Sequence, residues 1–97
     1  MNGVQDRIIV LQGNLYEPVK DVKFDVILSN PPITAGFSIV EKLIKESIKY
    51  LKPKGSIQLV VKKGIDRVRR VLMDIYGNIE ILASKKGYKV LKSIKQA

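Results

Sequence analysis

Phe24-Asp25-Val26-Ile27-Leu28-Ser29-Asn30-Pro31-Pro32-Ile33 is an apolar, β-branched run that stops at a proline pair. It predicts a strand over Phe24–Ser29, and its near-continuous apolar character suits a central strand buried on both faces of a parallel sheet. Neither Pro31 nor Pro32 can donate a ladder hydrogen bond, so the strand must end there. Ligands of open α/β sheets bind beyond the carboxyl ends of the strands, and Asn30 falls at such an end. A residue before proline is biased away from helical backbone, so the Asn30 amide sits on a stiff step at the mouth of the sheet.

Working outward, the chain alternates strand and helix. Upstream, Arg7-Ile8-Ile9-Val10-Leu11 is a short β-branched run stopped by Gly13-Asn14, with Pro18 in the loop beyond. Downstream, a helix is expected from about Ser38 to Leu51. Ser38 with Glu41 forms a capping-box signature, and Val40, Leu43, Ile44, Ser47, Ile48 and Leu51 share one face. Lys52-Pro53-Lys54-Gly55 reads as a turn into a third strand, Ser56–Lys62, in which Gln58 has no local rationale. A second helix, Ile65–Tyr76, ends at Gly77-Asn78. Two further strands, Ile79–Ser84 and Tyr88–Ile94, flank the hairpin turn Lys85-Lys86-Gly87. The order β-β-α-β-α-β-β predicts an α/β sheet, mostly parallel, with a C-terminal antiparallel hairpin.

The 97 residues suit one small domain. The chain contains neither Cys nor His, which removes disulfides, thiolate or imidazole metal ligands, cysteine nucleophiles and Ser–His relays. No metal ligand set is expected. Lys and Arg number 18 against 9 Asp and Glu, a formal net charge of +9. That excess favours anionic partners, nucleic acid first, and is equally compatible with a Lys-rich solvated surface. Arg67, Arg69 and Arg70 carry the same two readings, phosphate contact or solvation. No apolar run approaches the ~20 residues of a membrane span and the N-terminus lacks a secretory pattern, so no membrane partner and a cytoplasmic address are expected.

The chemistry available to Asn30 and Pro31 is specific. An Asn side-chain carbonyl accepts one hydrogen bond from an amino group, and the Pro31 backbone carbonyl can accept another. Two acceptors gripping both hydrogens of an exocyclic –NH₂ would turn its lone pair outward. Held in line with an electrophilic methyl, that nitrogen would gain proximity and polarisation without any strong base. An isolated Asn-Pro-Pro tripeptide is more often a strand-ending turn; its place between a buried strand and a capped helix favours the site.

Asn30-Pro31-Pro32-Ile33 in this setting resembles the fourth motif of class I S-adenosylmethionine-dependent methyltransferases that modify exocyclic amino nitrogens. The fit is closest to the "small" methyltransferase domain group, similar to rRNA guanine-N2 methyltransferases. Gly13-Asn14-Leu15-Tyr16-Glu17-Pro18-Val19 resembles the segment after that family's third strand. Leu51–Ser56 resembles its turn into the fifth strand, and Gly87–Lys92 its closing hairpin. The resemblance implies a partial Rossmann-like methyltransferase sheet and an N-methyltransferase of an RNA base, with S-adenosylmethionine as cofactor. It implies catalytic roles for Asn30, Pro31, Pro32 and Ile33, and cofactor contacts for Asn14 and Leu15.

The departures are equally specific. The family's Gly-rich loop after a first strand, and the acid ending its second, are absent from this sequence. Residues 1–97 therefore look like the C-terminal half of such a domain, and activity of this chain alone is not expected. The alternative is a catalytically inactive basic module that binds nucleic acid or a partner chain. Asn14 stands where the family usually has an acid. Ile33 replaces a usual aromatic, which leaves Phe37 as a stacking substitute or as core under the loop; Tyr88 is open to hairpin packing or stacking. In the family sheet the third strand lies at an edge, separated from the fourth by the second and first. Without those two, Phe24–Ser29 would expose an apolar edge. Two remedies are expected: Ile8–Leu11 moves in beside it, or two chains pair there as a homodimer.

Overall fold

The computed structural model describes residues 7–11, 23–31 and 36–96. Its strands are β1 (Ile8–Leu11), β2 (Phe24–Ser29), β3 (Leu51–Val61), β4 (Glu80–Lys85) and β5 (Tyr88–Ile94); its helices are α1 (Phe37–Ser47) and α2 (Ile65–Tyr76). The strands form one mixed sheet in the order β1-β2-β3-β5-β4. The β1–β2 and β2–β3 ladders are parallel, whereas β3–β5 and β4–β5 are antiparallel. The chain leaves β3 through α2 for the far edge, then returns by a hairpin to insert β5 between β3 and β4.

The first of the two edge remedies is the one observed. Ile8 pairs with Val26 and Leu11 with Ser29, so β1 lies directly beside β2. Asp25 fixes that register. The Arg7 backbone N–H donates to Asp25 Oδ2 at 2.8 Å, and the Arg7 carbonyl accepts from the N–H groups of Asp25 and Val26. The hydrogen bond from the Arg7 backbone, helped by the Lys52 ammonium 3.5 Å away, holds the Asp25 carboxyl below its ordinary pKa.

Burial is one-sided. Ile27, Ile57, Leu59, Val61 and Leu91 are buried together with Val40, Leu43 and Ile44 of α1 and Val68, Leu72 and Tyr76 of α2. The two helices pack against each other, and this common core puts both on one face of the sheet. The alternate side chains Val26, Leu28, Gln58, Val60 and Val90 are only half-buried, and Ile8 and Val10 are exposed. The expectation that β2 is buried on both faces is corrected accordingly: among the described residues no helix covers its second face.

Two helix boundaries also differ from expectation. Helix α1 starts at Phe37 with Gly36 as its N-cap (φ 117°) and no side-chain cap, so Ser38 lies inside the first turn and the capping box does not form. Glycine takes that backbone conformation without a Cβ penalty. The α-helix ends at Ser47 and tightens into a 3₁₀ turn, Ile48–Tyr50. Ser47 Oγ donates to the Ile44 carbonyl at 2.6 Å, a local bond that competes with continued helix, and Leu51 is already paired with Phe24. Lys52–Gly55 bulges out of the ladder, since the pairing jumps from Phe24–Leu51 to Val26–Ser56. Lys95 holds the bulge through backbone bonds to Lys54 and Gly55, while its ammonium caps the carbonyls of Ile48 and Leu51. Gly55 is required there, because a Cβ would sit 2.9 Å from the Lys52 carbonyl oxygen and 3.0 Å from that of Asp25.

Helix α2 matches its expected span, with Gly77 at φ 78° closing it onto the Met73 carbonyl. Asn78 then ties the helix to β5. Its side chain donates to the Ile94 carbonyl and accepts from the Ile94 N–H, while Ser93 Oγ donates to its backbone carbonyl. The hairpin turns at Lys86 and Gly87, both at positive φ.

Tyr76 is buried, and its hydroxyl is hydrogen-bonded to Ser47. Burial pushes its pKa up from 10 to about 12, against the opposing effect of the Ser47 bond. The folded state therefore resists ionisation of this phenol more than the unfolded chain does. The stability tied to the neutral form is complete below pH 10 and is lost as pH rises towards 12. Urea denaturation of the native chain and Tyr76→Phe at pH 9 and near pH 12 checks this. The stability of the native chain relative to the variant should fall by about 2 kcal/mol across that interval; parallel pH profiles would contradict it.

Candidate active site

The carboxyl end of β2 delivers the sequence's central feature. Asn30 is exposed immediately after the strand, and Pro31 is buried. Alternation along β2 puts Leu28 and Asn30 on the half-open face and Ile27, Ser29 and Pro31 on the helix side. Beside Asn30 lies a cavity of about 290 Å³ lined by Val10, Leu28, Ser29, Asn30, Gln58, Val60 and Val90. The register explains this grouping. Val10 pairs with Leu28, Leu28 with Gln58, and Val60 with Val90, so three adjacent ladders contribute side chains to one patch.

The side chains on this face are apolar apart from the two amides of Asn30 and Gln58, and none of the lining side chains titrates. Asn30 supplies an acceptor carbonyl and a donor NH₂. Gln58 projects from the neighbouring strand, half-buried, with only a 3.4 Å bond from its Nε2 to Ser56 Oγ. Sequence reasoning left Gln58 without a role; the signal available was an amide inside an otherwise apolar central strand, level with the motif. Ser29 Oγ is buried with no hydrogen-bond partner among the described residues. Such a site can grip a flat polar group by hydrogen bonds and exclude water around it. Among the described lining residues no side chain can serve as a general acid or base.

Phe37 does not enter the cavity. It is half-buried against the core, with the Arg67 guanidinium 4.0 Å from its ring centroid. The core reading of Phe37 is the one observed, and this cation–π contact joins the first turns of α1 and α2 just beyond the Asn-Pro-Pro loop. Tyr88 is exposed, with the Lys62 ammonium 5.2 Å from its ring centroid. Pro32 and Ile33 lie outside the described residues, as do Asn14 and Leu15, so only Asn30 and Pro31 of the expected site residues have a described position. Among the described residues no group of three or more acidic, His or Cys side chains could hold a metal, and no helix is long and apolar enough to cross a membrane.

The family pattern of the methyltransferase small domain matches residues 1–92. The chain belongs to the methyltransferase small domain family. Among its relatives is an uncharacterized protein of Bacillus subtilis, YbxB, 30% identical over 97% of this chain and 48% of its own length. Another is the ribosomal RNA small subunit methyltransferase C of Buchnera aphidicola, 33% identical over 87% of this chain and 27% of its own. The chain thus spans about half of the first relative and about a quarter of the second. In fold it is similar to the T. thermophilus 16S rRNA N2 G1207 methyltransferase, solved with AdoMet and guanosine. That match has a TM-score of 0.72 and 24% identity, over 84% of this chain and 23% of that one. For this small domain, the α/β architecture and the mixed five-stranded sheet agree with the expected partial Rossmann-like fold.

If Gln58 serves the cavity and not the fold, replacing it should cost no stability. Gln58→Leu puts apolar surface on a half-buried strand position and removes only a long, weak hydrogen bond, so it should hold or gain about 0.5 kcal/mol. A loss above ~1 kcal/mol in urea denaturation would return Gln58 to a structural role.

Proposed function

We propose that residues 1–97 are the substrate-gripping half of an S-adenosylmethionine-dependent N-methyltransferase that acts on the exocyclic amino group of an RNA base, ribosomal RNA first, in the cytoplasm. The observation that carries this reading is Asn30, exposed at the carboxyl end of a central strand beside a largely apolar cavity whose described lining holds two amides and no titratable side chain. Membership of the methyltransferase small domain family supports it. So do the rRNA methyltransferase name of the Buchnera relative and the guanosine bound by the T. thermophilus enzyme.

In this reading the Asn30 side-chain carbonyl and the Pro31 backbone carbonyl accept the two amino hydrogens, and the nitrogen lone pair is left pointing outward. The apolar side chains of Val10, Leu28, Val60 and Val90 exclude water and strengthen those hydrogen bonds. Gln58 offers a further amide to the base edge, and Pro32 and Ile33 complete the grip. S-adenosylmethionine supplies the electrophilic methyl group. The cavity suits a neutral amino group, which needs orientation and not prior deprotonation for its attack, and whose one surplus proton passes to solvent after the methyl has been transferred. Asn14 and Leu15 are the residues proposed to face the cofactor, with the Asn14 carbonyl accepting from its adenine amino group. The sequence holds neither the Gly-rich loop nor the second-strand acid that the family uses on the cofactor, so these 97 residues are proposed to need a segment that carries them. The same absence favours the alternative, a basic module without catalysis.

Two measurements test this. Titration calorimetry of the 97-residue chain with S-adenosylmethionine should give no saturable binding at micromolar concentrations; saturable binding would overturn the half-domain reading. In a chimaera where these residues replace the matching stretch of the T. thermophilus enzyme, Asn30→Ala should lower methyl transfer to RNA by about 10²–10³-fold or more with cofactor affinity unchanged. Undiminished transfer would reduce Asn30-Pro31 to a strand-ending turn.

A further inference from the structure

The lysines at the two ends of the sheet are used differently. At the amino end of β2 and β3 they hold the chain: Lys23 donates to the Lys49 carbonyl, Lys52 pairs with Asp25, and Lys95 caps Ile48 and Leu51. At the carboxyl end of β3, none of Lys62, Lys63, Lys85, Lys86 or Lys89 forms an ion pair with another described residue. The topology brings these five together. Val61 pairs with Lys89 and Lys85 with Tyr88, so the end of β3, the start of β5 and the β4–β5 turn share one rim. The nearest described acid along the adjoining groove is Asp66, which faces Arg69 at 4.0 Å.

This rim continues the cavity beside Asn30. Val60 and Val90, which line that cavity, are cross-strand partners, and Lys62 and Tyr88 are the next side chains on the same face of the same two strands. Two inter-strand spacings, about 10 Å, separate β2 from β5. Lys62 lies over one face of the Tyr88 ring, which orients its ammonium, while Tyr88 as a residue remains 44% exposed.

We propose that Lys62, Lys63, Lys85, Lys86 and Lys89, arranged around Tyr88, form a phosphate track for single-stranded RNA whose target base enters the cavity beside Asn30. The inference rests on the proposed RNA substrate and adds where its backbone runs. Lys62 and Lys85 share the Tyr88 face of this rim, whereas Lys89, paired with buried Val61, flanks it from the helix side. A polyanion suits unpaired cations gathered on one rim, and an exposed aromatic ring among them suits an unstacked base. An apolar cavity of nucleobase scale at the head of the track favours RNA over a lipid surface, which would need no such cavity.

The test uses the whole chain and a fluorescently labelled single-stranded RNA of about 12 nucleotides, a length within single-strand site sizes, read by anisotropy across a salt series. The triple variant Lys62→Gln/Lys86→Gln/Lys89→Gln should bind at least tenfold more weakly, and its log–log salt slope should be shallower by about 2, at ~0.7 per lost phosphate contact. The charge-matched control Lys42→Gln/Lys45→Gln/Lys49→Gln, on the exposed side of α1 and the 3₁₀ turn that follows it, should retain affinity within about threefold. Equal losses in the two variants would overturn the track, as would binding to phosphatidylserine vesicles without binding to RNA. The experiment contains no cofactor. RNA binding through the rim without methyl transfer by the chimaera would therefore sink the enzymatic reading and leave the track. Transfer unaffected by the rim substitutions would do the reverse.

Discussion

One-sided burial of the sheet governs the rest of this molecule. Strand side chains alternate with period two, so burying Ile57, Leu59 and Val61 of β3 under the two helices commits Gln58 and Val60 to the opposite face. The parallel ladder carries the choice into β2, where Ile27 goes inward and Leu28 and Asn30 outward. A slip of one residue would exchange the sets and bury Asn30 while exposing Ile27. The pins on register have an importance beyond their individual energies for this reason. Asp25 holds β1 to β2, Lys95 closes the Lys52–Gly55 bulge, and Asn78 locks β5 to the end of α2. Each lies at the amino end of β2 and β3, away from the cavity, and each leaves the opposite end free for chemistry.

That division of labour also accounts for the charge. An excess of nine positive charges would repel itself if spread without purpose. The lysines that the fold uses donate to backbone carbonyls left without partners by a tightened helix end and by a bulge. Those carbonyls are concentrated where α1 runs into β3. The lysines at the other end meet few such acceptors, because there the chain enters helices, whose first turns present N–H groups. Among the described residues the lysines near that end form no ion pair, and they are left to solvent or to an anionic partner.

Much of this was legible in the sequence, and the misreadings have local causes. Helix α2 was readable at both ends because Gly77 and the apolar periodicity agree. The β4–β5 turn was readable because Gly87 and its neighbour Lys86 adopt positive φ, as short hairpins require. Ser38 misled because a capping box depends on the backbone before it, and Gly36 offered a start one residue earlier. The end of α1 was overrun because Ile48 and Leu51 continue the apolar stripe, while the competing interactions, Ser47 on Ile44 and Leu51 on Phe24, involve backbone groups that side-chain patterning does not encode. The place of Asn30 just past the end of β2 was readable from its prolines. Gln58 was not, since its significance lies in the β2–β3 register, and Asn78 found its partner Ile94 across the sheet, sixteen residues on.

The composition and the cavity converge on one kind of chemistry from opposite directions. A chain without His or Cys lacks the side chains that most often act as bases and nucleophiles near neutral pH. The described wall of the cavity, Val, Leu, Asn and Gln side chains, has the same character at the scale of the site: apolar surface with two amides and no titratable group. A carboxylate placed there would pay for its own burial and would grip a cationic ligand more firmly than a neutral amino group. Amides avoid both effects, because they carry no net charge to desolvate and accept a hydrogen bond from a neutral amino group. Stiffening Asn30 with Pro31 then supplies the remaining requirement. A weak acceptor contributes most when its direction is restricted before the ligand arrives, and a proline step at the end of a paired strand narrows the backbone from which the Asn30 side chain leaves.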